Sequence, residues 1–221
     1  MSATRPPPSS AAQAAREILR RLHDVIAANT GAQAKLNNTV QLIGEALNSE
    51  VCSVYLLRQG VLELFATRGL NQSAVHVTKL AMGEGLVGTI AAEIETLNLA
   101  EAAAHPDYAY RPETGEEQFH SFAGVPIIRR ERAVGVLCVQ HAASRGYDEI
   151  EIEALQTVAL VLSELIANAS LIDEHGSAGA NADNSAQSMQ GLKLVDGMAK
   201  GVAVLHQPRI VIEHTGAADV E

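Results

Sequence analysis

The stretch VCSVYLLRQGVLELFAT, residues 51–67, alternates in a way that a pair of strands explains and a helix does not. Over Val51–Leu57, Cys52, Val54 and Leu56 fall on one side and Ser53 and Tyr55 on the other. Arg58-Gln59-Gly60 turns the chain, and Val61–Thr67 returns as the partner. A period of two around a turn marks a hairpin with one face buried. Downstream, SFAGVPIIRRERAVGVLCVQH at residues 121–141 repeats the plan, with Ser121–Ile128 pairing Ala133–His141 across Arg129–Arg132. Val75–Leu80 and Thr96–Leu99 read as further strands.

On either side of this block the period changes. Ile18, Leu19, Leu22, Val25 and Ile26 share one helical face, which Asn29-Thr30-Gly31 ends. Leu36, Val40, Ile43 and Leu47 form a second helix, and Leu86–Glu93 a short one. Asp148–Glu174 reads as a long helix whose first turn holds Asp148, Glu149 and Glu151, suited to the positive end of its dipole. Strands in a central block with helices before and after give an α+β fold, an antiparallel sheet covered by helices.

The organisation follows. Residues 1–15 are rich in Pro, Ser and Ala without a hydrophobic period and read as a disordered leader, 16–174 as the domain, and 175–190 as a flexible linker. Residues 191–221 hold strand-like runs at Leu192–Val195, Val202–Leu205 and Arg209–Glu213. They are too few to fold alone and read as the start of a truncated second domain.

Composition narrows function. The 221 residues carry a net charge of −10, so a phosphate-backbone binder is not expected and no nucleic acid is assigned as partner. No apolar run reaches the ~20 residues of a membrane span, and no secretory signal is present. The expectation is a cytoplasmic protein without a membrane partner. Cys52 and Cys138 sit in apolar strands, which favours core packing, and the eight histidines show no metal-ligand spacing. No catalytic and no metal residues are assigned.

Gly83-Glu84-Gly85-Leu86-Val87-Gly88 matches GxGxxG, but it follows an antiparallel strand and lacks the acidic residue about 20 positions on that a dinucleotide site uses. A tight turn into a helix explains it, and a small anion at that helix start stays open. The polar loop Ala100–His120 contains HPDYAYRPETG at residues 105–115. It reads either as a solvated loop or as a lid in which Arg111 forks onto a carboxylate while Asp107, Glu113 or Thr114 receives an amine or amide. In the last helix Leu155, Val158, Leu162, Leu165, Ala169 and Ile172 repeat at heptad spacing. That stripe could pack on the sheet; with Ile150, Ala159 and Ile166 as a second stripe, the favoured reading is a parallel homodimer seam joined by the Ile18–Ile26 helix.

Taken in order, CSVYL (52–56), the Gly83–Gly88 turn, Asn98-Leu99, SFAGVPI (121–127) and VGVL (134–137) resemble GAF sensory domains over Arg16–Glu174. Closer still, LELFATRGLN (62–71), GEGLVGTIA (83–91), HPDYAYRPETGEE (105–117) and SFAGVPIIRRERAVGVLCVQ (121–140) are similar to the GAF domain of enzyme I of the nitrogen-related phosphotransferase system, a family of phosphoenolpyruvate–protein phosphotransferases. LVDGMAKGVAVLHQPRIVIE (194–213) is similar to the segment leading into that family's phosphohistidine domain.

The resemblance implies a GAF-like central antiparallel sheet with flanking helices and a long C-terminal helix. It implies a regulatory domain that senses nitrogen status, with glutamine as ligand, and tunes autophosphorylation of a downstream histidine by phosphoenolpyruvate and magnesium. The phosphoryl group then passes to the phosphocarrier NPr. No cofactor is implied for this chain itself. His206 and His214 match no phosphoacceptor motif. The expected ligand contacts are Asn98, Asp107, Tyr110, Arg111, Glu113, Thr114 and Ser121, with the dimer helix carried by Leu155, Val158, Leu162, Leu165 and Ile172. The alternatives are a structural dimerisation module with a collapsed pocket and, last, a cysteine-dependent methionine sulfoxide reductase, an activity some GAF proteins have.

Overall fold

The computed structural model describes residues 10–176 and 210–212. Helices α1 (Ser10–Ala27) and α2 (Ala32–Ala46) precede strands β1 (Val51–Arg58), β2 (Val61–Arg68) and β3 (Lys79–Ala81). Helix α3 (Gly85–Glu93) and strand β4 (Thr96–Leu99) lead into the polar loop, followed by β5 (Ser121–Arg129), β6 (Arg132–His141), α4 (Glu149–Gly176) and β7 (Ile210–Ile212). The sheet order is β3-β2-β1-β6-β5-β4-β7. The first six strands pair antiparallel, as the alternation requires, whereas β7 lies parallel to β4 with Thr96 opposite Ile210. Residues 1–9 of the leader, 177–190 of the linker and the runs Leu192–Val195 and Val202–Leu205 lie outside the described residues.

Alternation along β1 sorts the core into two. Cys52, Val54 and Leu56 join Ala123, Val125, Ile127, Leu137 and Val139 beneath α1, α2 and α4. Tyr55 joins Leu62, Leu64, Phe122, Val136 and Cys138 on the opposite face, under α3 and the polar loop. The sheet is therefore a shared wall, with three helices behind it and a thinner cover in front.

Three sequence expectations need correction. Helix α1 starts at Ser10 rather than Arg16, because the Ala-rich run SAAQAAREI carries high helix propensity even without an apolar stripe. The third strand covers Lys79–Ala81 rather than Val75–Leu80: Gln72–Ala74 form a 3-10 turn and His76 takes a left-handed φ of 64°, which interrupts extended pairing. In α4, Leu155, Val158, Leu162 and Leu165 are buried against the chain's own sheet and helices rather than offered to a second molecule. Heptad spacing is also what any helix lying on a sheet presents, and each such aliphatic gains roughly 1.5–3 kcal/mol by burial. The side chains of Ala169 and Ile172 lie outside the described residues.

The start of α4 is fixed by more than its dipole. The Glu151 N–H donates to Asp148 Oδ1 (2.8 Å) and the Asp148 N–H to Glu151 Oε2 (2.9 Å), a reciprocal capping box. Arg145 forks onto the same Glu151 at 2.8 and 3.1 Å and lies over the Tyr147 ring. Among the described residues no helix is long and apolar enough to cross a membrane.

Candidate ligand site

The front face of the sheet holds a partly open cavity of about 40 Å³. Its floor is Tyr55 of β1, Phe122 of β5 and Gln140 of β6; α3 contributes Gly85, Leu86 and Val87; the loop adds Tyr108, Ala109, Arg111, Glu116 and Phe119. Four of the chain's seven tyrosines and phenylalanines gather here.

The GxGxxG run makes the turn that lets α3 approach. Gly85 has φ 67°, and a Cβ there would stand 3.2 Å from Ala109 Cβ of the loop. A Cβ on Gly88 would stand 2.6 Å from the Ala81 carbonyl oxygen. These glycines serve close packing of helix, strand and loop, as the turn reading has it.

The loop is tied down as a lid. The Asn71 N–H donates to Thr114 O (3.0 Å) and Asn71 Nδ2 to Glu113 O (3.1 Å). Thr78 Oγ1 donates to Glu113 Oε1 (3.1 Å), and Thr89 Oγ1 on α3 to Asp107 Oδ2 (3.2 Å). The Arg111 guanidinium pairs through Nη2 with Glu84 Oε1 in the glycine turn. Glu84's other oxygen accepts the Ala81 N–H (2.8 Å), and that hydrogen bond, ahead of the Arg111 charge, lowers its carboxyl from the usual value.

Glu116 points inward. Its Oε1 accepts the Arg111 N–H (3.3 Å) and its Oε2 meets Gln140 Nε2 (3.5 Å). Burial raises its carboxyl above the usual range despite those hydrogen bonds, which act to lower it. Arg111 Nε and Gln140 Oε1 are both buried without a hydrogen-bond partner. The cavity wall thus combines a guanidinium, a carboxylate and an amide set among aromatic and aliphatic surface.

Of the expected ligand residues, the structure brings Arg111 to the cavity. Asp107 and Glu113 anchor the lid from outside, Thr114 folds back on Arg111 O through its hydroxyl (2.7 Å), and Tyr110, 45% exposed, donates to Glu117. Asn98 and Ser121 are buried beside Tyr147, away from the cavity. The carboxylate that accompanies Arg111 is Glu116, which sequence reasoning passed over, together with Gln140 and Tyr55. A lone amide at the end of the apolar run VGVLCVQ was the one signal available for Gln140.

An antiparallel sheet with three helices behind it and a shorter helix and loop in front is the architecture that the comparisons with known proteins match. The GAF domain model matches residues 31–166, and the chain belongs to the GAF domain family. It is 36% identical over 155 residues to the phosphoenolpyruvate-dependent phosphotransferase system protein of Escherichia coli strain K12, a match covering 69% of this chain and 21% of that protein. The chain therefore spans about a fifth of the length of the curated relatives it matches. Among solved structures it is similar to the GAF domain of a phosphoenolpyruvate-protein phosphotransferase (ptsP) from Coxiella burnetii, at 35% identity and a TM-score of 0.70, covering 75% of this chain and 99% of that one. It is also similar to a free methionine-R-sulfoxide reductase from Neisseria meningitidis in complex with its substrate, at 25% identity and a TM-score of 0.64, covering 78% and 99%.

Proposed function

We propose that this GAF domain is the sensory part of a phosphoenolpyruvate–protein phosphotransferase, binding a small zwitterionic nitrogen metabolite, glutamine first, beneath the lid. Binding would tune autophosphorylation of a catalytic part that uses phosphoenolpyruvate and magnesium and hands its phosphoryl group to the carrier NPr. The observation that carries the ligand reading is the presence of Arg111 and Glu116 in the wall of one cavity. A free amino acid has one carboxylate and one ammonium, and opposite partners satisfy both where water is excluded. The unpartnered Gln140 Oε1 adds an acceptor suited to a side-chain amide N–H.

Isothermal titration with glutamine, against glutamate and 2-oxoglutarate, tests this. Saturable glutamine binding that Arg111→Ala and Glu116→Ala each abolish is the expected result; silence from all three ligands overturns it. A second reading, a structural dimerisation module, draws support from the cavity's size: 40 Å³ falls well short of the roughly 300 Å³ at which small-molecule pockets begin. Exposed Leu160 (62%) and Ile150 (48%) on α4 offer it a surface. Ligand-dependent thermal stabilisation separates the two, since ligand at 100 times its Kd adds about 2.7 kcal/mol. Reductase chemistry finds little support: burial pushes the Cys52 thiol up to about 12 and the Cys138 thiol well above its usual value.

A further inference from the structure

The cavity as it stands is too small for an amino acid, since small-molecule pockets run to about 300 Å³ or more. Something must yield, and the lid's fastenings show where. Most join the lid to neutral backbone or hydroxyl groups, whereas Arg111–Glu84 is an ion pair reaching from the cavity wall into the glycine turn. That pair uses half of what each side chain can offer. Glu84 gives Arg111 one oxygen because its other oxygen holds the Ala81 N–H. Arg111 engages through Nη2 alone, and its Nε, on the same edge of the guanidinium, is buried without an acceptor.

A free carboxylate has both oxygens available and can span Nε and Nη2 together, the stronger fork geometry. We infer that Glu84 is an internal competitor for the ligand-binding edge of Arg111: it latches the lid shut through one oxygen and yields to a ligand carboxylate that binds with two. The inference rests on the reading of this cavity as an amino-acid site and names the group that sets its ligand class and its threshold. Neutral ligands of the same size gain nothing from releasing the latch. Carboxylates gain a second hydrogen bond, and the released Glu84 keeps its hold on Ala81.

Glu84→Gln tests the latch, because the amide oxygen can still accept the Ala81 N–H while the charge opposite Arg111 is gone. Hydrogen exchange without added ligand should show amides of residues 107–117 exchanging about two- to fivefold faster than in wild type, the range expected when a half-exposed ion pair is lost. Glu93→Gln, which removes a charge from the exposed end of α3, should leave them unchanged. Glutamine should bind Glu84→Gln tighter by a similar factor, while glutamine amide, which lacks the α-carboxylate, should show no such gain. Lid exchange in Glu84→Gln equal to wild type overturns the latch, and equal gains for glutamine and its amide overturn the competition. Faster exchange with no glutamine binding by either protein supports the latch and overturns the ligand reading instead.

Discussion

Asn98 holds Tyr147 by both ends of its amide: Nδ2 donates to the Tyr147 carbonyl (2.8 Å) and Oδ1 accepts the Tyr147 N–H (3.0 Å). The two residues are 49 apart in sequence, and the clasp fixes the segment that launches α4 onto the sheet. Asn98→Ala leaves two buried backbone groups unsatisfied and should cost about 2–4 kcal/mol by urea unfolding. Glutamine affinity in the folded fraction should not change, because Asn98 lies outside the cavity. A loss of affinity at full folding would return Asn98 to the ligand site.

The turn between β5 and β6 places Arg130 and Glu131 at φ 48° and 63°, both left-handed, with Arg129 opposite Arg132. Two positive φ angles in a two-residue hairpin loop suit Asn-Gly. Replacing Arg130-Glu131 by Asn-Gly should therefore stabilise the domain by about 1 kcal/mol, the relief of left-handed strain less the added chain entropy of glycine. Thermal unfolding measures it, and an unchanged or lower Tm would mean the native pair makes a compensating interaction.

Glu116 links stability to pH with a defined sign. Its folded value lies above the ordinary 4.5, so the folded state retains a proton there that the unfolded chain has released. The stability this contributes is whole below the unfolded value and is lost as pH rises through the folded one. Glu63 and Glu84 are lowered and work the other way, losing their contribution as pH falls. Glu116→Gln should thus gain in Tm over wild type as pH rises from about 4 to 8. A difference that stays flat across that range would show that Glu116 titrates as it does in the unfolded chain.

Leu162 and Leu160 separate the two uses of α4. Leu162 is fully buried and Leu160 is 62% exposed. Leu162→Ala should cost about 2–5 kcal/mol, whereas Leu160→Ala should stay within about 0.5 kcal/mol for a monomer. Chemical unfolding at two protein concentrations completes the test: a concentration-dependent loss at Leu160 would reveal a helix-mediated dimer.

Much of the scaffold was legible because burial on one face writes itself into the sequence as a period. The β1–β2 and β5–β6 hairpins could be located to within a residue or two. The third strand could not, since only the left-handed His76 reveals that Val75–Thr78 leave the extended conformation. Arg111 stood out as a forked cation in a polar loop. Glu116 did not, because nothing local distinguishes it from exposed Glu117 beside it; the fold turns one toward Gln140 and the other toward Tyr110. The partner of Asn98 was illegible for the mirror reason: its polar side chain sits in a strand and is bound by a distant segment. The α4 stripe shows the limit of periodicity, which reports that a face is covered and not by what.

Parallel strand β7 lies along β4, the strand from which the lid springs. Without it β4 would end the sheet with a row of unpaired backbone donors and acceptors, a template for a strand of another molecule. The opposite edge, β3, is only three residues long with its outer residues exposed, too short to template much. Residues 210–212 therefore act as a selvedge. A chain cut ahead of them should keep its fold and become prone to edge-to-edge aggregation.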